Sequence, residues 1–562
     1  MRRIFDIICI ILFLSGSAYG QLLIQEYNSR LEKPIPQYKI EINLDIENRI
    51  YSGKERIVFK YPLSKDKDVI LRLFANSGGG SERNLDIKSI MLDGKTAEFF
   101  FVDDTTVSIR GDFVSKKSYT IEIEFSATLP EITQESTDIF LSTLKQLLGQ
   151  GSSSVTENNY GIFGCSANIC NIASVVPALA KVNNDDWSTS RMTGMGDYQR
   201  GDFADYEIDV VHDDSVLVVS NGVIKKRESL KEGKVRSRFF ADSVNDIILE
   251  ASCNFNYVRR EINGVLYISY YVNDRDKRLA ELSIDVASEA IGFFSRYYAK
   301  YPYSEFKIVS APMTGGAGGV EFPALITIGD FLYDEIDGDE QRTGEFISYD
   351  LLSQMFEFVI VHEVAHQWFS TLIPSDSRTE PYLDEGLASF SAYLYFINKY
   401  GEVEAKKFLD NQIRLNYIMM RLLGYKDMPI NTPIENYENM FQYAGIIYGK
   451  APLFFVKLYE LIGKERFRFI VSQWVKERAF KDTRLISLIN TLKANEPAKA
   501  SSIESLYKRW FEGRYGDEDI GKGSLKDLLK FLNNGKDLDI DFNLDRLKKF
   551  LEDTFDMFRE YR

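Results

Sequence analysis

The chain has 562 residues, with 83 acidic and 68 basic side chains and a formal net charge of −15. Such acidity argues against a nucleic-acid partner. The length calls for several domains.

Residues 1–20 read as a signal peptide: Arg2 and Arg3, an apolar core, then Ala18-Tyr19-Gly20 before Gln21. The run from Ile7 to Leu14 is too short to span a bilayer, and no later segment reads as a membrane helix. No cysteine stands at the cleavage site, so a lipoprotein anchor is not indicated; an uncleaved anchor is the alternative. The expectation is cleavage near Gly20 and an extracytoplasmic location, periplasmic or secreted.

From 21 to 257 the pattern is strand-like, with alternation in Tyr38–Ile46, Arg56–Tyr61, Tyr119–Phe125 and Asp205–Val211. Turn-rich stretches from Asn76 to Arg83 and from Gly149 to Asn159 interrupt it. Cys165 and Cys170 are close enough to pair in an oxidising compartment, which leaves Cys253 alone once Cys9 departs with the leader. His212 is expected in a turn, apart from any chemistry.

From 258 to 515 the character changes. A short strand region precedes a helix near Arg278–Tyr298, followed by Tyr301-Pro302-Tyr303, a glycine-rich strand and two further helices. The last segment, 516–562, carries Leu544, Leu547, Leu551, Phe555 and Phe558 as one helical stripe. It suits a docking helix or cap, and a partner-binding helix is the alternative. The fold class expected is α+β and multidomain: an N-terminal β-sandwich-like domain, a mixed α/β catalytic domain and a short helical C-terminal segment.

Only three histidines occur, and two of them, His362 and His366, stand four apart in VHEVAHQWF with Glu363 between. On a helix, i and i+4 share a face, so both imidazoles can reach one metal ion. Glu363 can then serve as general base over the metal's open position. The segment Leu351–Ile373 lacks glycine and proline and reads as one buried helix. A third ligand is expected downstream, because catalytic zinc sites keep three protein ligands. In PYLDEGLASFSAYLYFINKYG, Asp384 or a neighbour can cap a second helix, Glu385 falls in its first turn and Gly401 ends it. Glutamate in a first turn also suits the helix dipole, so position alone leaves this ligand open.

HEVAHQWF followed by LDEG resembles the gluzincin zinc aminopeptidases, the aminopeptidase N and leukotriene-hydrolysing type, in a short secreted form. The resemblance implies one Zn2+ per chain held by His362, His366 and Glu385, with Glu363 activating water, in a thermolysin-like domain. It also maps Gly318-Gly319-Val320-Glu321-Phe322 onto the family's Gly-Ala-Met-Glu-Asn strand, with Val320 and Phe322 departing from it. Glu321 would then grip the free α-amine, while Gly318 and Gly319 let a substrate backbone approach. A flexible glycine-rich loop is the bland alternative. In IIYGKAPLFF, Tyr448 matches the family's oxyanion-binding tyrosine, with Tyr443 as competitor among 32 tyrosines. The function implied is removal of N-terminal residues from peptides with a free amino terminus. The alternatives are an endopeptidase on the same fold, a hydrolase of another substrate, or a catalytically silent binding protein.

Overall fold

Alternation of apolar and polar residues turns Gln37–Asp45 into a strand whose side chains are buried and exposed in strict turn. It is central to an eight-stranded sheet in the computed structural model, which describes residues 22–27, 29–31, 34–77, 83–137, 159–190, 195–198, 200–333 and 349–523. The signal-peptide reading and the stripe from Leu544 to Phe558 lie outside these residues. On one side Gln37–Asp45 pairs antiparallel with Ile50–Lys60, and on the other parallel with Ala204–Asp213. Gly53 has no room for a side chain: a Cβ there would lie 2.5 Å from the Glu41 carbonyl and 2.6 Å from the Phe125 ring.

Smaller sheets complete the β-rich half. In one of them Phe163–Cys165 and Cys170–Ala173 run antiparallel, and Cys165 and Cys170 face each other across the pair in a disulfide. Cys253 is free and exposed. His212 lies in the strand Ala204–Asp213, not in a turn. It is buried, with its ring on the Ser237 hydroxyl at 2.9 Å and the Asp213 carbonyl at 2.7 Å. The strand simply runs further than the polar Asp213-Asp214 pair suggests.

The second half begins with a five-stranded sheet. Its strands are β1 (Asn256–Ile262), β2 (Val265–Tyr271), β3 (Glu305–Ala311), β4 (Gly319–Phe322) and β5 (Leu325–Gly329), in the spatial order β1-β2-β3-β5-β4. β2, β3 and β5 are parallel neighbours, and β4 returns antiparallel to β5 as the edge. Helix α1 (Lys277–Tyr297) makes the crossover from β2 to β3. It packs on α2 (Tyr349–Ala365), which packs on α3 (Pro381–Phe408), and α3 meets α4 (Ala451–Ile462). Gly401 kinks α3, with φ at 82° where other residues are strained, but the helix resumes to Phe408 and does not end there as the sequence suggests.

The two halves are fastened together. The buried Glu250, from the strand Ile248–Ser252, accepts a hydrogen bond from the Thr327 hydroxyl on β5 at 2.8 Å. Asn171 Nδ2 donates to the Pro312 carbonyl at 3.2 Å. The whole is an α+β, multidomain architecture. Among the described residues no helix is long and apolar enough to cross a membrane.

Candidate active site

Helix α2 forms from a run without glycine or proline, but it stops at Ala365, not at Ile373. Beyond it the chain tightens into turns, and the Phe369 carbonyl swings back to accept from His366 Nδ1 at 2.9 Å. The buried Trp368 indole pins that turn by donating to the Ala299 carbonyl at 2.8 Å. Removing such an indole costs about 3–5 kcal/mol. Helix α3 also begins earlier than the sequence suggests. Pro381, with its φ already set for a helix, takes the first position, so Asp384 is not the cap and Glu385 falls one residue past the first turn. Asp384 is buried instead, accepting from the Glu385 N–H at 2.9 Å.

These two helix ends bring His362, His366 and Glu385 together, all buried. Because a carbonyl only accepts, the Phe369 contact puts the proton of His366 on Nδ1 and leaves a lone pair on Nε2. The Ser389 hydroxyl, on the next turn of α3 after Glu385, holds His362 Nδ1 at 3.2 Å. The inward atoms then converge: His362 Nε2 lies 3.1 Å from His366 Nε2 and 3.1 Å from Glu385 Oε2, and His366 Nε2 lies 3.4 Å from that oxygen. For bonds of about 2.0–2.1 Å, tetrahedral zinc ligands stand about 3.3–3.4 Å apart. The triangle therefore fits a three-ligand zinc site with one position open.

Glu363 is buried beside this group, against the edge strand. A Cβ on Gly319 would lie 2.8 Å from Glu363 Cγ and 2.9 Å from its Oε1, so only glycine leaves the carboxylate its place. Gly318 likewise sits 3.0 Å (ideal Cβ) from Val359 on α2. Burial pushes the Glu363 carboxyl well above the usual range, with His366 opposing. Glu321 projects from the same face of β4 as Gly319, and its Oε1 is 3.7 Å from His366 Nδ1. Burial would raise Glu321, but the Arg200 guanidinium beside it prevails and holds it low.

Tyr448 lies in a π-helical turn, Gly445–Lys450, of a kind frequent at functional sites. Its ring centroid is 6.2 Å from that of His362. Gly449 allows the turn to abut its neighbour, since a Cβ there would meet Tyr417 N at 2.7 Å. Lys450 turns away to Asp427, at 2.9 and 3.1 Å. Tyr443 stands behind Tyr448, buried, with ring centroids 6.1 Å apart and no ring contact to either histidine among those described. Burial, with Glu385, raises the Tyr448 hydroxyl far above its ordinary value, so it remains an O–H donor.

Two residues at the site carry no motif. Arg200, from the β-rich half, pairs its Nη2 with Glu321 Oε1 at 2.9 Å, donates from Nη2 to the Glu321 carbonyl at 2.6 Å, and donates from Nη1 to Ser370 Oγ at 2.6 Å. Asp197, three residues earlier, is raised by burial and by Glu385 and Glu321. Met195–Arg200 has no glycine fingerprint or periodicity that marks it. The only signal is a charged pair inside a strand-rich stretch.

Residues 282–510 match the model of the peptidase family M1 domain. That stretch is similar to an M1 domain. Glutamyl aminopeptidase of Bos taurus is 25% identical over 294 residues, 50% of this chain and 29% of that protein. Aminopeptidase 2 of Candida albicans is 23% identical over 336 residues, 57% of this chain and 34% of that protein. The chain thus spans about a third of the length of these curated relatives. The crystal structure of the M1 zinc metallopeptidase from Deinococcus radiodurans superposes with a TM-score of 0.56 at 15% identity, covering 85% of this chain and 93% of that one. The fold is therefore shared well beyond the M1 domain itself.

Proposed function

We propose that the protein is a zinc-dependent aminopeptidase that removes N-terminal residues from peptides. The observation that carries this is the buried triangle of His362 Nε2, His366 Nε2 and Glu385 Oε2, with Glu363 beside it and Glu321 on the edge strand. Zinc held by these three would supply Lewis acidity toward a carbonyl and lower the pKa of a water. Glu363 takes the proton of the attacking water and returns it to the leaving amine. Tyr448 donates its O–H to the developing oxyanion. Glu321 pairs with the free ammonium, and Gly319 lets the peptide lie along β4 as an added strand. The Cys165–Cys170 disulfide supports an oxidising compartment, in keeping with export after cleavage near Gly20.

The test is to incubate the full-length chain with one peptide, free or acetylated at its amino terminus, and to follow products by mass. Stepwise loss of single residues from the free peptide alone is expected. Internal cuts in both would make the protein an endopeptidase. No cleavage of either with zinc bound would discard peptidase chemistry.

A further inference from the structure

The edge strand β4 alternates the direction of its backbone groups. Gly318 accepts from Gly329 N at 2.9 Å, so in the antiparallel register Val320 and Phe322 also turn their N–H and C=O toward β5. Gly319 and Glu321 turn theirs outward, toward the side where another strand would add. At Glu321 that outward edge is already occupied. Arg200 Nη2 donates to its carbonyl at 2.6 Å and forms an ion pair with its carboxylate at 2.9 Å. Beyond β4, the same guanidinium reaches Ser370 on the turn that follows His366. Arg200 is itself braced: Nε lies 3.9 Å from Asp246 Oδ2, and Asp246 is fixed by Tyr198 and by the Ile247 N–H at 2.8 Å.

We propose that Arg200 is a positioning residue that ends the substrate groove at Glu321, closing the strand edge there and fixing the Glu321 carboxylate toward the cleft. This deepens the aminopeptidase reading and rests on it. A peptide backbone adding to β4 finds an N–H and a carbonyl at Gly319, then no acceptor at Glu321. A chain running past that point would leave an amide without a partner, whereas a chain ending there presents its ammonium to the carboxylate. A carboxylate accepts up to about four hydrogen bonds, so the contact with Arg200 does not exhaust it. Lysine cannot replace the fork, because one ammonium cannot span the carboxylate, the carbonyl and Ser370 in this planar geometry.

The experiment uses the full chain carrying Glu363→Gln, which blocks turnover, loaded with zinc. Calorimetry measures Kd for tri-alanine and N-acetyl-tri-alanine in this parent and after adding Arg200→Met, Arg200→Lys, Glu321→Gln, or Arg200→Met with Glu321→Gln. Zinc content and Tm are recorded for each. The parent is expected to prefer the free peptide by roughly tenfold or more, the scale of a hydrogen bond to a charged group. Arg200→Met should collapse that preference with zinc content unchanged, Arg200→Lys should restore little of it, and the double variant should match Glu321→Gln. An unchanged preference in Arg200→Met overturns the proposal. So does an equal loss for both peptides together with lower Tm or zinc content, which marks a bracket and nothing more. Fully additive effects of Arg200→Met and Glu321→Gln overturn it too. A parent that binds both peptides alike overturns the aminopeptidase reading first, and this inference with it.

Discussion

His362, His366 and Glu385 come from two successive helices and meet inside one packing unit, whereas Glu321 is met by Arg200 from the other half of the chain. At the metal end each imidazole is fixed by a nearby group: the Phe369 carbonyl, in the turn after α2, for His366 and Ser389 on α3 for His362. At the other end the edge strand is fixed by a guanidinium whose own supports, Tyr198 and Asp246, belong to the β-rich half. The lesson is a division of labour. On the aminopeptidase reading, bond-breaking geometry is kept local, where little can shift it, and recognition of the chain end depends on how the two halves meet.

The sharpest way to test that division is Glu363→Gln. The variant should lose about 10²–10⁴ in kcat while keeping zinc and its preference for free termini, read by turnover, metal analysis and calorimetry. Loss of that preference as well would mean the two ends are not separable. Tyr448→Phe should cost about 10²–10³ in kcat with little change in KM, because its donor matters only once charge develops. Tyr443→Phe should leave kcat near wild type; the reverse pattern would move the oxyanion role to Tyr443. Gly319→Ala has a smaller expected effect than Tyr448→Phe, roughly tenfold on kcat/KM, from shifting the Glu363 carboxylate by a few tenths of an ångström. It touches both ends at once, so it should alter catalysis and free-terminus preference together, and a change in only one would sharpen the boundary between them.

The metal end was legible because its chemistry is written at short range. His362 and Glu363 lie in the last turn of α2, His366 follows directly after it, and Glu385 lies on the next helix. The strand alternation at Tyr38–Ile46 was legible for the same reason. Helix ends were harder. A carbonyl drawn back to His366 stops α2 at Ala365, and Pro381 starts α3 ahead of Asp384, both decided by tertiary contacts or by a backbone preset. Arg200 and Asp197 could not be seen at all: their meaning depends on a fold that carries residue 200 to residue 321. His212 was misplaced because two aspartates after it resemble a turn, while the Ser237 hydroxyl on the neighbouring strand satisfies its ring.

The open edge of β4 has a consequence for what this protein can digest. Gly319 offers its backbone N–H and carbonyl only to a chain whose own are unspent, and a terminus wound in a helix or zipped into a sheet has none to give. Freeing it and fixing it again costs roughly 1–2 kcal/mol for each residue. On the aminopeptidase reading, frayed ends are trimmed and the same sequence is spared while it stays folded, so the groove sorts by local order before it sorts by side chain.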